Sequence, residues 1–130
     1  MGGDFAPSVL VKGAILAHQE SNGDFRLILV GDEVKIKEEL KKMGAEGLPF
    51  IIQQASESIR MDESATSSLK KKDSSIAVAM QMQKDGEADA GVSAGHTGAV
   101  MTSALITLGR IEGISRPAIA TYMPTQREND

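Results

Sequence analysis

Short apolar segments alternate with amphipathic segments along most of the chain, and this alternation limits the possible folds more than any other feature. Residues 25–30 and 50–54 are short and largely apolar, which is typical of strands buried in a parallel sheet. Between them and on either side, apolar residues recur at helical spacing. Alternating strands and helices are the pattern of α/β proteins. The sequence therefore predicts an α/β domain with a mostly parallel sheet.

The predicted helices begin at capping residues and end near glycines. The first begins near Pro7, the second runs from the cap Asp32 to Gly44, and the third covers residues 67–72. The fourth runs from a cap at Asp73, Ser74 or Ser75 to Gly86, and the fifth runs from Thr97 to Gly109. Residues 88–94, which are small, and residues 118–122, which follow Pro117, are predicted as two further strands.

Residue spacing predicts ion pairs on the second helix and supports the fifth. Glu33 and Lys37, and likewise Glu38 and Lys42, lie four residues apart, the separation at which opposite charges pair on a helix. Apolar residues of the fifth helix fall at i, i+3, i+4 and i+7, the spacing that indicates a helix; they are Met101, Ala104, Leu105 and Leu108.

Composition excludes several classes of protein. The 130 residues include 14 Lys and Arg against 18 Asp and Glu, and aromatic residues make up 3%. A net charge of −4 and few aromatic rings argue against nucleic-acid binding. Cysteine is absent, which excludes disulfides, thiolate metal ligands and a cysteine nucleophile. Because neither a membrane-spanning run nor a signal-peptide pattern occurs, we expect a soluble cytoplasmic protein.

The sequence GVSAGHTGA at residues 91–99 is the strongest candidate for a ligand site. It lies where a predicted strand ends and a helix begins, the place at which α/β sheets bind ligands. Glycines allow close backbone approach, and the first N–H groups of a helix favour an anion. An ordinary turn capped by Thr97 is the alternative interpretation. The candidate binding residues of this turn are Ser93, Gly95, His96, Thr97 and Gly98.

Two other segments are weaker candidates. Gly2, Gly3 and Asp4 form a turn entering the first helix, where the alternatives for Asp4 are to cap the helix, to hydrogen-bond a ligand or to hold Mg²⁺. A basic run with neighbouring hydroxyls is suited to phosphate or an acidic partner, although lysine runs are more often solvated surface. The residues of that segment are Lys70, Lys71, Lys72, Ser74 and Ser75.

Residues 91–95 also match the G-x-S-x-G pattern of α/β-hydrolases, in which Ser93 would be the nucleophile. That fold needs an acidic residue and then a histidine after the serine, whereas His96 follows too closely and His18 lies upstream. A serine hydrolase is therefore the less favoured alternative. His96 has no partner at metal-ligand spacing, so no metal site is predicted.

Five blocks of sequence occur in the order and spacing of one bacterial family. They are MGGDFAP at 1–7, VGDE at 30–33, MDES…LKKKDSS within 61–75, GEADAGVSAGHTGAVM at 86–101 and LGRIEGISRPAIA at 108–120. The chain resembles the phosphate acyltransferases of the PlsX family, the acyl carrier protein:phosphate transacylases of phospholipid synthesis. Because family members are considerably longer, we expect residues 1–130 to be one N-terminal α/β domain or subdomain, without its first strand and the C-terminal half.

The resemblance implies a three-layer α/β/α fold similar to the isocitrate and isopropylmalate dehydrogenase-like and phosphate acetyltransferase group. It implies transfer of a fatty acyl group from acyl carrier protein to inorganic phosphate, without a metal or organic cofactor. It also implies a homodimer associated peripherally with the inner face of the membrane. The lysine run is a candidate docking site for acyl carrier protein, which is acidic. An inactive binding fragment is the remaining alternative.

The chain differs from the usual family pattern at three positions. Phe5 stands where a polar residue is common, Ala65 where proline is usual, and His96 where asparagine is usual. The last difference changes the side-chain hydrogen bond that we expect at the turn of residues 91–98.

Overall fold

A computed structural model of the chain describes residue 3 and residues 5–121. The described part contains α1 (Ser8–Glu20), β1 (Ile28–Gly31), α2 (Glu33–Lys42), β2 (Ile51–Gln54), α3 (Ser67–Lys70), α4 (Ser75–Lys84) and α5 (Thr97–Thr107). The two strands pair in parallel, with Ile28 opposite Ile51 and Gly31 opposite Gln54. The predicted α/β class and the parallel pairing are confirmed.

The first hydrophobic core joins α1 and α2 to the sheet. Its buried residues are Val11 of α1, Leu29 of β1, Ile36 and Leu40 of α2, and Ala45, which follows α2. Leu29 of β1 and Ile52 of β2 are opposite each other in the ladder, and both contribute to this core. One face of the strand pair is therefore buried against the two helices.

A second, smaller core lies between α4, α5 and the chain that leaves β2. Ile59, Ile76 and Ala99 are buried there, with Val100 packed against them. Ile59 belongs to an irregular segment, so burial of this side chain holds the segment against the two helices. Helix α4 also contacts β1, which links the second core to the sheet.

Two predicted helix caps are confirmed. The Asp32 carboxylate accepts the Lys35 N–H at 3.2 Å, and the Ser74 hydroxyl accepts the Ala77 N–H at 3.4 Å. Gly44 follows α2 with a φ of +63°, a conformation that glycine adopts without strain. These signals are local, because each depends on residues within one helical turn.

Both additional strands predicted from the sequence are wrong for the described residues. Residues 88–94 form no strand, and neither do residues 118–121, while Tyr122 lies outside the described residues. The described sheet contains β1 and β2 alone. Alanine, aspartate and glycine dominate residues 88–94, and these residue types are depleted in strands because they offer little side-chain packing.

Helix α5 forms where it is predicted, but the apolar residues at helical spacing do not form its buried face. Ala99 and Ser103 are buried, whereas Met101, Leu105 and Leu108 are exposed. Apolar residues occur all round this helix, so periodicity does not single out the face that meets α4. Packing between the helices decides the face instead.

Only one of the two predicted ion pairs on α2 forms. Lys37 pairs with Glu33 four residues earlier, as expected. Lys42 pairs with Glu39, three residues earlier, at 2.6 Å rather than with Glu38. Both spacings bring side chains together on a helix, so spacing alone does not separate the two partners.

An aspartate clamp connects the end of β2 to the start of α4. The Asp73 carboxylate accepts hydrogen bonds from the N–H group and the hydroxyl of Ser56. Backbone hydrogen bonds join Glu57 to Asp73 and Ser75 beside this clamp, at 3.1 and 3.0 Å. The Ser56 hydroxyl and N–H lower the pKa of Asp73 below its ordinary value of 3.8.

We expect Ser74→Ala to destabilise the protein by about 1 kcal/mol, because the substitution removes the cap of α4. Thr66→Ala is the matched control, since Thr66 precedes α3 without a side-chain capping bond. The control is expected to change stability by less than about 0.5 kcal/mol. Urea unfolding of both variants tests this, and equal effects would contradict the assigned role of Ser74.

The Ser56–Asp73 clamp is expected to weaken in acid. The pKa of the Asp73 carboxyl is lower in the folded protein than in the unfolded chain. The ionised carboxylate therefore stabilises the fold at pH values above the unfolded pKa, and this stabilisation is lost as pH falls through the folded pKa. A double-mutant cycle of Ser56→Ala and Asp73→Asn should give a favourable coupling at pH 7 and a smaller one at pH 3. Coupling that does not vary with pH would contradict the assignment.

Candidate functional site

A cleft of about 550 Å³ opens at the carboxyl ends of β1 and β2. Its walls come from the turn at Gly3, Ala6 and Pro7, from the start of α2, and from residues 55–62, which leave β2. Parallel pairing causes this arrangement, because both strands end at the same edge of the sheet. Open α/β sheets bind ligands at this edge.

Gly3 brings the N-terminal turn against the turn of residues 91–98. Its φ is +125°, and a Cβ at this position would lie 3.1 Å from the Ala94 carbonyl oxygen. A side chain would push the two turns apart, and the left-handed backbone would add strain. Two glycine turns indicated by the sequence are therefore adjacent. Gly2 and Asp4, the other candidates of the first turn, lie outside the described residues.

His96, rather than Thr97, caps α5. The imidazole Nδ1 accepts the Ala99 N–H at 3.2 Å, and Nε2 lies 2.9 Å from the Glu63 carbonyl oxygen. Thr97 is the first residue of the helix and is exposed. The ring therefore joins the start of α5 to a segment 33 residues earlier in the sequence.

The two candidate glycines of this turn have different surroundings. A Cβ on Gly98 would lie 3.0 Å from the Ala65 Cβ and 3.2 Å from His96 Cε1, so the first turn of α5 packs directly on residue 65. Gly95 is half-buried, and its N–H donates to the Ser93 hydroxyl at 3.2 Å. Gly98 permits a close contact, whereas Gly95 lies in a hydrogen-bonded turn.

Glu63 connects the basic run to the cleft wall. Its carboxylate accepts the Lys71 ammonium at 2.8 Å and the Arg60 N–H at 3.0 Å. Lys71 also donates to the Ser58 carbonyl at 3.0 Å. The Lys71 ammonium, followed by the Arg60 N–H, lowers the pKa of Glu63. Lys71 is thus engaged within the protein.

The remaining candidates of the basic segment occupy different environments. Lys70 is exposed, and Lys72 lines a second cleft of about 580 Å³ near α4 and α5. Ser74 and Ser75 are buried, and the Ser74 hydroxyl caps α4. Within this segment, the two outer lysines are the side chains presented to solvent.

Two cations of the cleft wall were missed by the sequence analysis. The Arg60 guanidinium forms two 3.0 Å hydrogen bonds with Asp62, and Lys35 pairs with Asp32 at 3.3 Å. The Lys35 N–H, reinforced by the ammonium, lowers the pKa of Asp32. Exposed ion pairs of this kind are weak, so an anionic ligand can compete for the cations. The position of Arg60 shortly after a predicted strand was the available signal.

Ser93 does not have the surroundings of a hydrolase nucleophile. Its hydroxyl accepts the Gly95 N–H, and both nitrogens of His96 are engaged elsewhere. The strand predicted over residues 88–94 is not formed in the structure, so Ser93 does not lie in a strand–turn–helix context. Within the same residues, no three histidine, aspartate or glutamate side chains gather where they would hold a metal ion.

The whole chain, residues 1–130, matches the family described as "Fatty acid synthesis protein". One similar protein is the phosphate acyltransferase of Nitratiruptor sp., which is 46% identical over 98% of this chain and 37% of its own length. The phosphate acyltransferases of Synechococcus elongatus and Pelotomaculum thermopropionicum are each 50% identical. Those two alignments cover 96% and 98% of this chain, and 35% and 36% of the relatives' lengths.

The chain thus spans little more than a third of the length of these curated relatives. The similarity nevertheless covers both glycine turns, the cleft wall and the basic run. Because the match extends over the whole sequence, the chain belongs to the fatty acid synthesis protein family and is similar to bacterial phosphate acyltransferases.

Proposed function

We propose that the complete protein transfers a fatty acyl group from acyl carrier protein to inorganic phosphate, and so supplies acyl phosphate for phospholipid synthesis. The observation that carries this proposal is 46–50% identity to phosphate acyltransferases over nearly the whole chain. The adjacency of two glycine turns at an open cleft supports the same function, because phosphate is commonly bound where backbone N–H groups converge.

The proposed reaction needs two kinds of hydrogen-bond donor. A phosphate oxygen bonds to the thioester carbonyl carbon, and the C–S bond then breaks with its electron pair remaining on sulfur. The proton lost by hydrogen phosphate neutralises the thiolate, so atoms and charges balance. Donors must hold the phosphate in line for attack and must stabilise the carbonyl oxygen as negative charge develops on it.

Residues of both turns are assigned to phosphate binding in this proposal. The N–H groups at the start of α5 offer donors and the positive end of a helix dipole. Ser93 and Thr97 are exposed and present hydroxyls at the same turn. Arg60, which lines the same cleft as Gly3, supplies a cation after releasing Asp62. Gly2 and Asp4 belong to the proposed site through their position in the sequence.

The partners and setting of the complete protein belong to the same proposal. We assign residues 1–130 to the N-terminal part of a three-layer α/β/α fold, consistent with one sheet face packed on α1 and α2 and with α4 contacting β1. The proposed protein is a cytoplasmic homodimer, peripheral at the inner membrane face, that uses no cofactor. Among the described residues, no helix is long and apolar enough to cross a bilayer.

The exposed lysines of the basic run are the proposed docking contacts for acyl carrier protein. Lys70 and Lys72 are exposed, while Lys71 is paired with Glu63. Opposite charges accelerate docking of an acidic partner, and rim contacts of this kind weaken as salt concentration rises. The assignment therefore covers the outer two lysines and leaves Lys71 as a structural contact.

The complete protein is expected to release acyl phosphate from acyl carrier protein only when phosphate is added. Ser93→Ala should lower this rate by about fivefold, because one hydrogen-bonding group at the phosphate site is lost. A hydrolase with Ser93 as nucleophile would instead lose all activity and would release fatty acid without phosphate. Quantifying acyl phosphate and free fatty acid with and without phosphate distinguishes the two reactions.

Gly3→Ala is expected to reduce acyl phosphate formation on the order of tenfold, because the added Cβ would displace the turn at Ala94. Gly23→Ala is the matched control, since Gly23 also has a positive φ of +90°, but a Cβ added there would meet no atom of the described residues within 4 Å. Both variants should lower the melting temperature by similar amounts, because each places alanine at a positive φ. Equal losses of activity would contradict a specific role for the Gly3–Ala94 contact.

A further inference from the structure

We propose that His96 is a positioning residue, whose neutral Nε2–H imidazole joins the first turn of α5 to Glu63, the residue that directly follows the cleft-lining residues 55–62. The proposal concerns the phosphate site assigned above and, in that respect, rests on the proposed function. Its geometric part, the tautomer and the two hydrogen bonds, does not depend on the reaction.

The two ring nitrogens of His96 have opposite roles, and the neighbouring backbone determines which is which. The Ala99 N–H can only donate, so Nδ1 must present a lone pair at 3.2 Å. The Glu63 carbonyl can only accept, so Nε2 must carry the proton that it donates at 2.9 Å. A neutral imidazole satisfies both partners in the Nε2–H tautomer alone.

The segment that His96 reaches is held in place on its other side. The Glu63 carboxylate is bound by Lys71 and by the Arg60 N–H, and Lys71 also binds the Ser58 carbonyl. Gly98 packs on Ala65 with no room for a side chain. The ring therefore connects two segments that already touch, and it sets their separation.

This connection determines the spacing of groups assigned to phosphate. Arg60 and Asp62 line the cleft immediately before Glu63, and the turn of residues 93–98 immediately precedes Ala99. A change at His96 shifts one of these segments relative to the other. Both nitrogens are already hydrogen-bonded, so the ring positions groups without transferring a proton in the reaction.

Nitrogen-15 NMR of the complete protein tests the tautomer directly. The ring signals that disappear from the spectrum of His96→Asn are those of His96, and this assignment does not depend on the number of other histidines. At neutral pH we expect a protonated Nε2 and an unprotonated Nδ1 for His96. A protonated Nδ1 would overturn the proposal, because the Ala99 N–H would then have no acceptor.

Two substitutions separate positioning from simple capping of the helix. Asparagine caps helices well but is too short to reach Glu63, whereas alanine provides neither contact. We expect His96→Asn and His96→Ala both to raise the KM for phosphate about fivefold, with the KM for acyl carrier protein unchanged. Only His96→Ala should also lower the melting temperature appreciably.

The controls distinguish the possible failures. His18→Asn should leave the KM for phosphate unchanged, because the His18 ring packs edge-on against Phe50 rather than on the site. A wild-type KM for phosphate in His96→Asn would show that the ring serves only as a cap and would overturn the positioning role. If the unaltered protein forms no acyl phosphate, the proposed function fails. The geometric part is tested separately, because a protonated Nδ1 of His96 in the 15N spectrum would overturn it whatever the activity.

Discussion

The parallel pairing of β1 with β2 is the constraint on which the rest of the site depends. Four residue pairs bring Gly31 and Gln54 to the same edge of the sheet. The Gln54 side chain then accepts the Glu33 N–H at 2.8 Å, which ties the end of one strand to the helix that follows the other. Because both chains leave the sheet together, the start of α2 and residues 55–62 become opposite walls of one cleft.

Close backbone approach packs further segments together beside the residues that line this cleft. Gly3 meets the carbonyl of Ala94, and Gly98 meets the side chain of Ala65. Each contact is possible only because one partner lacks a Cβ, so these glycines act through tertiary packing more than through turn geometry. The Glu63–Lys71 ion pair and the Asp73–Ser56 clamp then hold the irregular segment between β2 and α4. An otherwise polar and irregular region is thereby given a defined shape.

Local signals predicted the parts of the fold that local interactions determine. The caps Asp32 and Ser74 were predictable because their hydrogen bonds reach three residues along the chain. Residues 88–94 were wrongly predicted as a strand, because strand formation depends on a pairing partner that periodicity does not reveal. The buried face of α5 was not predictable for a related reason, since α4 selects Ala99 and Ser103 from a helix that has apolar residues all round. The candidate site shows the same division: both glycine turns were identified from residue type, whereas Glu63 was missed because its role comes from partners in other segments, Lys71 and His96.

The histidine at position 96 illustrates how one residue gains a second role through its size. An asparagine, the residue usual in the similar family, has an acceptor at the distance needed to cap a helix, and its contacts end there. The imidazole keeps an acceptor at nearly the same place in Nδ1 and adds a donor on the far side of the ring. That donor reaches the Glu63 carbonyl, and Gly98 leaves room for the ring because a Cβ there would lie 3.2 Å from His96 Cε1. The residue at this position thus caps the helix and, in this chain, also makes a tertiary contact with Glu63.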